Sequence, residues 1–289
     1  MIPTLNIIAW AKTTPWAEQR QVEQDLIISR ALVELFSDDF LRGQLRFRGG
    51  TALNKLHFPK PLRYSEDIDL VRTTAGPIGE ILDRIRKIIE PWLGQAGFDQ
   101  SDMAPKFRFK VDAEDKSAPI RLKIEINTRE RDVYDKPVAI PFSIENPWFS
   151  GSAEIPTFSN EEVLATKLRA LLQRNKGRDL IDLAHALAVF ERLDAKRTVE
   201  LLGRYLDAND MSISRAQAEQ RMFAKLDNPS FLVDVRPLLT AEEAERFDEA
   251  ATMKAFSSVF ARFIRQFPGE PWAKTPEMLK RFDFGGLVE

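Results

Sequence analysis

Asp67 and Asp69 lie two residues apart in the run Ser65-Glu66-Asp67-Ile68-Asp69-Leu70. In an extended strand, residues i and i+2 share a face, so both carboxylates project together while Ile68 and Leu70 enter a core. Like charges held that close repel unless a cation lies between them. An all-carboxylate site suits a hard ion, Mg²⁺ first and Mn²⁺ as the alternative. Glu125 is the candidate third acid. In Ile120–Asn127 (IRLKIEIN), Leu122, Ile124 and Ile126 line one face while Arg121, Lys123, Glu125 and Asn127 line the other. If this strand neighbours the first, Glu125 joins Asp67 and Asp69 as a metal ligand; if not, it belongs to an ordinary solvated face. Upstream, Gly49-Gly50-Thr51 ends one short strand and opens a helix. Unpaired backbone N–H groups at such a helix start favour phosphate, although a plain glycine turn has the same sequence. Three acids on adjacent strands beside a phosphate turn meet the needs of two-metal nucleotidyl transfer from a nucleoside triphosphate.

Further along, Lys167, Arg174, Arg178 and Asp182 share one side of a helical wheel, provided a single helix runs through Asn175-Lys176-Gly177. Cations so placed would hold a triphosphate, Lys as a point charge and Arg as a two-pronged fork. Surface ion pairs of little energetic value are the competing reading. Ser65 falls on the same strand face as Asp67, either as a site residue or as a strand-edge hydroxyl bonded to backbone. Lys106, Arg108 and Lys110 share a strand face that suits nucleic-acid phosphates or simply water. His57 and His185 lack paired ligands and read as structural.

These residues need a scaffold. Val22, Leu26, Ile27, Ala31, Leu35 and Phe36 recur at spacings of three and four, which predicts an amphipathic helix over 16–40. A short strand at Leu45–Phe47 follows, then a short helix from Thr51 ending before Pro59, a strand at SEDIDLVR, and a helix over 78–92. KFRFKV and IRLKIEIN predict a hairpin closed by Asp112–Pro119. Residues 132–158, with four prolines, read as irregular structure and a lobe boundary. Beyond Asn160 the pattern is helical over 160–175, 179–193, 195–208, 211–226 and 241–267, with 268–289 as an extended or short-helix appendage. The expected fold is α+β: a mixed-sheet lobe over 1–155, then a helical lobe over 156–289 that completes the active-site cleft.

Composition narrows the chemistry. The 289 residues carry 42 basic and 44 acidic side chains, 44% hydrophobic residues and no cysteine. Thiolate catalysis and disulfides are excluded, and two histidines leave little for a His-based zinc site. No window reaches 18 uncharged apolar residues, so no spanning helix and no membrane partner are expected. The N-terminal run lacks a signal-peptide pattern, and a cytoplasmic location is expected.

GGTALNKL, RYSEDIDL, the KIEIN strand and ATKLRALLQRNKGRDLIDL, in that order over roughly residues 20–190, resemble the AbiEii/AbiGii toxin family of the polymerase-β-like nucleotidyltransferase superfamily. Thr51 stands where many superfamily members have Ser, and 15 residues separate it from Asp67, a longer gap than in minimal members. The resemblance implies a metal-dependent toxin that moves a nucleoside monophosphate from an NTP to an acceptor. By analogy with related toxins, that acceptor is the 3′ end of tRNA. It also implies a type IV toxin–antitoxin or abortive-infection role, with a cognate antitoxin encoded alongside. Lys167, Asp179 and Asp182 match family positions needed for activity, and Ser65 matches a site position. Two other readings compete. A DxD glycosyltransferase needs a larger nucleotide-binding domain before the motif than the 66 residues present. A non-catalytic nucleotide- or partner-binding protein of the same fold is disfavoured by the intact three-acid set.

Overall fold

The computed structural model describes residues 2–14, 16–100, 104–116, 118–284 and 286. The expected hairpin turn at 112–119 and the tail therefore fall partly outside the described residues, at Ser117 and at Gly285 and 287–289. The chain divides into two units, Met1–Ser159 and Asn160–Glu289.

The first unit is built on a five-stranded sheet of β1 (Leu45–Arg48), β2 (Asp67–Arg72), β3 (Gly97–Asp99), β4 (Lys106–Asp112) and β5 (Pro119–Asn127), in the order β1-β2-β5-β4-β3. β2 and β5 run parallel, and the remaining neighbours are antiparallel. Ile68, Leu70, Leu122, Ile124, Ile126, Phe107 and Phe109 are at most 1% exposed, so the alternation read from sequence is the core face of this sheet.

Helix α2 (Gln19–Ser37) covers that core behind α1 (Thr4–Ala11), which the periodicity had not suggested. A capping box between Glu18 and Gln21 starts α2. The expected amphipathic stripe is only half of what this helix buries. Its polar residues Glu23, Gln24, Asp25 and Ser29 are also buried, because neighbouring elements meet both faces. Each has a partner: Glu23 accepts from the Glu114 N–H at 2.9 Å, Gln24 donates to the Arg121 carbonyl at 2.9 Å, and Ser29 donates to the Asp25 carbonyl at 2.8 Å. The chain then passes through α3 (Asp39–Gln44), β1, α4 (Gly49–Ala52) and a π-helical turn at Leu53–His57, and α5 (Gly79–Leu93) follows β2.

Residues 138–157 correct the expectation of irregular structure. They form a ribbon of β6 (Val138–Asn146) and β7 (Phe149–Thr157). Proline removes one N–H, yet a two-stranded ribbon has two open edges where a missing donor costs nothing, and Pro141 and Pro156 sit in these strands. The Thr157 hydroxyl ties the ribbon to the Phe47 carbonyl of β1 at 2.7 Å.

The second unit is helical: α6 (Asn160–Gln173), α7 (Gly177–Val189), α8 (Ala195–Asp207), α9 (Arg215–Leu226), α10 (Ala241–Arg246), α11 (Glu249–Arg262) and α12 (Thr275–Arg281). The single helix expected over 241–267 is interrupted at Phe247-Asp248, where Asp248 caps α11 by accepting from the Ala251 N–H at 2.7 Å. The tail contains the short helix α12, one of the two forms expected for it, and it is fastened down. Fully buried Glu219 accepts from the Trp272 N–H at 2.8 Å and the Thr275 hydroxyl at 2.6 Å, which fastens it to α9. Among the described residues, no helix is long and apolar enough to cross a membrane.

Two glycines of this unit should respond oppositely to alanine. A Cβ at Gly177 would lie 2.6 Å from the Phe231 carbonyl and 2.9 Å from Leu232 Cα, both backbone atoms that cannot yield cheaply. Gly177→Ala should therefore cost on the order of 1–3 kcal/mol. Gly203, inside α8 with open space around it, should gain roughly 0.5–1 kcal/mol on substitution by Ala. Urea denaturation midpoints of the two variants, moving in opposite directions, check the pair.

Candidate active site

Asp67 and Asp69 project from one face of β2 while Ile68 and Leu70 are buried behind them. Parallel pairing sets Asp69 opposite Glu125 and Asp67 opposite Lys123. The three acids expected from sequence are thus neighbours on adjacent strands. β1 delivers the chain to the acids from the other side, with Arg48 paired to Asp69. Gly49 follows at φ +86°, and a Cβ there would fall 2.5 Å from Asp69 Oδ2. Only glycine permits both that backbone conformation and that approach. At Gly50 a Cβ would meet Arg63 Nη2 at 2.6 Å. Thr51 is buried, donates to the Asp67 carbonyl, and lies 2.9 Å from Ser65 Oγ.

Sequence reading missed the residue that locks this turn. Asn54 donates to the Gly50 carbonyl at 2.9 Å, and its Oδ1 accepts from the N–H groups of Leu62 (2.9 Å) and Arg63 (3.1 Å). The long segment between Thr51 and Asp67 is therefore folded back on the helix it leaves. A buried amide among polar residues has no periodic signature, and only the Asn between Leu53 and Lys55 marked the place.

A second missed residue is Lys123, which sequence reading had assigned only to the polar face of β5. Its ammonium lies 3.1 Å from Asp67 Oδ2 and 3.2 Å from Glu125 Oε2, and Lys106 reaches Glu125 at 3.5 Å. Burial pushes the Asp69 carboxyl above its usual range, and the charges of Asp67 and Glu125 add to this against the pull of Lys123 and Arg48. Burial alone would lower the Lys123 ammonium, but Asp67, Asp69 and Glu125 outweigh it and hold the group above its ordinary value. The donor set fits a divalent ion chemically, being three carboxylates with a cation already stabilised between two of them. Among the described residues, no three ligating side chains stand at the spacing of a formed metal cage.

In the second unit, the helical wheel drawn through residues 167–182 does not hold, because α6 ends at Gln173 and α7 begins at Gly177. The break sits at Asn175-Lys176-Gly177, and the Gly177 N–H is capped by Asp234 Oδ1 at 2.9 Å. The two helices instead fold side by side. Lys167, 6% exposed, places its ammonium 3.2 Å from Asp179 Oδ1 and 2.9 Å from Asp182 Oδ2, both fully buried acids. Arg174 clamps Asp179 with two bonds, Nε–Oδ2 at 2.7 Å and Nη2–Oδ1 at 2.9 Å. Burial raises the Asp179 carboxyl, but the Arg174 hydrogen bonds and the Lys167 charge outweigh it and hold it low. Arg178 lies 3.8 Å from Asp234. Lys225 donates to the Arg174 carbonyl at 2.8 Å, and burial pushes its ammonium down to about 8.

Residues 30–275 match the family described as nucleotidyl transferase AbiEii toxin, type IV toxin–antitoxin system. The chain belongs to this family. It is a nucleotidyltransferase toxin, and the glycosyltransferase reading ends here. No curated protein matches it in sequence. Its fold is similar to that of MenT4, the nucleotidyltransferase toxin Rv2826c from Mycobacterium tuberculosis H37Rv, at 17% identity and TM-score 0.63, covering 98% of this chain and 99% of that one. It is also similar to JHP933 from Helicobacter pylori, at 17% identity and TM-score 0.52, covering 93% of this chain and 99% of that one.

Other positions singled out in the sequence of this toxin have the following surroundings. Arg108 pairs with Asp99 at 3.2 Å, and Lys110 lies opposite Arg121 on an exposed strand face. His57 Nε2 lies 3.2 Å from the Thr157 hydroxyl, and burial lowers the His185 imidazole.

Two outcomes follow from these charges. Because the folded Asp69 carboxyl is raised above its unfolded value, its favourable contribution is present at low pH and lost as pH rises through the folded value. With EDTA at pH 7, Asp69→Asn should therefore be more stable than wild type by on the order of 1 kcal/mol. The gain should shrink as pH falls towards the unfolded carboxyl range, which urea curves between pH 4 and 8 check. Lys167→Ala removes the ammonium shared by two buried carboxylates and, although Arg174 still holds Asp179, should cost about 3–5 kcal/mol. A thermal melt of this variant close to that of wild type would contradict the buried ion cluster.

Proposed function

We propose that this toxin transfers a nucleoside monophosphate from an NTP to the 3′ end of tRNA, releases pyrophosphate, and thereby stops growth of the host cell unless a cognate antitoxin restrains it. The observation that carries the reading is the register of Asp69 opposite Glu125, with Gly49 packed against Asp69, in a chain of the AbiEii family. The Gly49–Thr51 N–H groups receive the triphosphate, since a helix start offers unpaired donors and a favourable dipole. The 3′-hydroxyl oxygen of the acceptor attacks the α-phosphorus, and the bond to the β-phosphate oxygen breaks as pyrophosphate leaves. Asp67, Asp69 and Glu125 would hold Mg²⁺ or Mn²⁺, in the two-ion arrangement of this chemistry, which supplies charge neutralisation for the attacking and leaving oxygens. Thr51 and Asn54 fix the turn relative to Asp67 by the hydrogen bonds already described.

The Lys167–Asp179–Asp182 cluster belongs to the same reading as a unit required for activity, with Ser65, Arg174 and Arg178 as further nucleotide-binding positions. Support for the cluster is its burial as a charged group, which packing alone does not favour.

Purified protein incubated with each α-³²P-labelled NTP, Mg²⁺ and total RNA should label RNA of tRNA size with one or more nucleotides. Asp67→Asn should reduce labelling at least ~100-fold while retaining the fold. Absence of label on any RNA with all four NTPs would refute the acceptor. Pyrophosphate release without labelled tRNA would keep the transferase chemistry and redirect the search to another acceptor.

A further inference from the structure

Lys225, in the last turn of α9, is 7% exposed. Its ammonium donates to the Arg174 carbonyl at 2.8 Å and stands 5.3 Å from the centre of the Phe231 ring. Arg174 is the first residue after α6, and residues 173–176 form an exposed corner between α6 and α7. Water commonly serves a helix-end carbonyl in such a place. Here a buried ammonium does so. The far end of the corner is held as well: Asp234 Oδ1 accepts from the Gly177 N–H at 2.9 Å, and the backbone of Phe231 and Leu232 is packed against Gly177. Contacts from α9 and from the segment that follows it therefore fix the corner's backbone at both ends.

We propose that Lys225 is a positioning residue for nucleotide binding, fixing the Arg174 backbone so that the guanidinium meets solvent in one orientation. The Arg174 side chain is 48% exposed, and Asp179 holds its guanidinium by two bonds. With the backbone held by Lys225 and the far end held by Asp179, the long side chain keeps little freedom. An anion that binds it then has less motion to arrest, which strengthens binding. The inference rests on the reading of Arg174 as a nucleotide-binding position and deepens it by naming the residue that sets its geometry.

The contact depends on pH. Burial pushes the Lys225 ammonium down to about 8, Asp179 of α7 works against burial, and Arg221 of α9 adds to it. Arg174 turns its own charge to Asp179, and Asp234 serves the Gly177 N–H with Arg178 at 3.8 Å. Above about pH 8 the amine is neutral, and its bond to the Arg174 carbonyl loses the strength that charge lends it.

Titration calorimetry of the full chain with Mg²⁺ and α,β-methylene NTPs, at pH 7 and at pH 9.5, tests the proposal. Lys225→Met keeps the stem and deletes the donor, and at pH 7 it should bind the analogues about three- to tenfold more weakly. Wild type should lose affinity between the two pH values, whereas Lys225→Met and Arg174→Ala should lose less. The double variant should bind no more weakly than Arg174→Ala alone, since a positioning residue has no effect once its guanidinium is gone. A general structural role makes the two losses add. Additive losses, or wild-type affinity in Lys225→Met, overturn the inference and leave Arg174 as a nucleotide contact. Unchanged affinity in Arg174→Ala removes that contact and the inference with it. Should Lys225→Met fail to fold, the pH series decides, and equal losses in wild type and Arg174→Ala overturn the inference.

Discussion

Crowded negative charge on one sheet face is the constraint around which the first unit is arranged. Asp67, Asp69 and Glu125 sit on adjacent parallel strands, and burial, helped by the charges of Asp67 and Glu125, raises the proton affinity of Asp69. Nothing in β-sheet pairing favours three such neighbours. Their stability in the fold depends on cations brought from the same surface, Lys123 between Asp67 and Glu125, with Lys106 and Arg48 nearby. The Lys123 ammonium thus offsets a charge arrangement that burial makes costly. The close approach of Gly49 to Asp69 then puts anion-seeking backbone beside cation-seeking carboxylates, the two requirements of transferring a charged phosphoryl group.

Holding such a face steady requires order behind it, and α2 supplies much of that order. A helix buried on both sides cannot leave Glu23, Gln24, Asp25 and Ser29 unpaired, and all four reach beyond the helix, Ser29 by accepting from Lys55 at 2.9 Å. Gln24 bonds the backbone of β5, Asp25 meets Lys55 of the π-helical turn and Trp10 of α1, and Glu23 accepts from the loop after β4. Polar contacts of this kind are directional, so they set position where apolar packing alone tolerates sliding. Asn54 does the same over a shorter range by tying Gly50 to Leu62 and Arg63.

The parts legible in sequence were those that repeat. Alternation in DIDL and KIEIN gave the strands, their core faces and the side on which the acids lie, and the Gly-Gly step marked the turn. Pairing of β2 with β5 was a condition there, because alternation says which face a residue takes but not which strand lies beside it. Lys123 was placed on the correct face without its partners for the same reason. The β6–β7 ribbon was lost to its prolines, which mark breaks in a central strand but are harmless at an edge. The Lys167 wheel was conditional on one helix running through Asn175-Lys176-Gly177, and the boundary read there between two helices is where the chain breaks, α6 ending at Gln173 and α7 starting at Gly177.

That break also changes what Lys167 is. On one continuous helix it would have stood in a row with Arg174 and Arg178, placed to hold a triphosphate. Across two helices it becomes the centre of a charged core, with both oxygen partners fully buried and Arg174 fixing one of them from outside. Replacing such a group by apolar residues is often neutral or stabilising, so stability alone gives weak reason to build it. What the arrangement does secure is geometry: an ammonium held by Asp179 and Asp182 cannot change rotamer without giving up its contacts with two buried carboxylates. Asp179 in turn fixes the guanidinium of Arg174, whose side chain is about half exposed. The buried charges therefore act as an anchor, and Arg174 is the cation they present to solvent in a defined orientation.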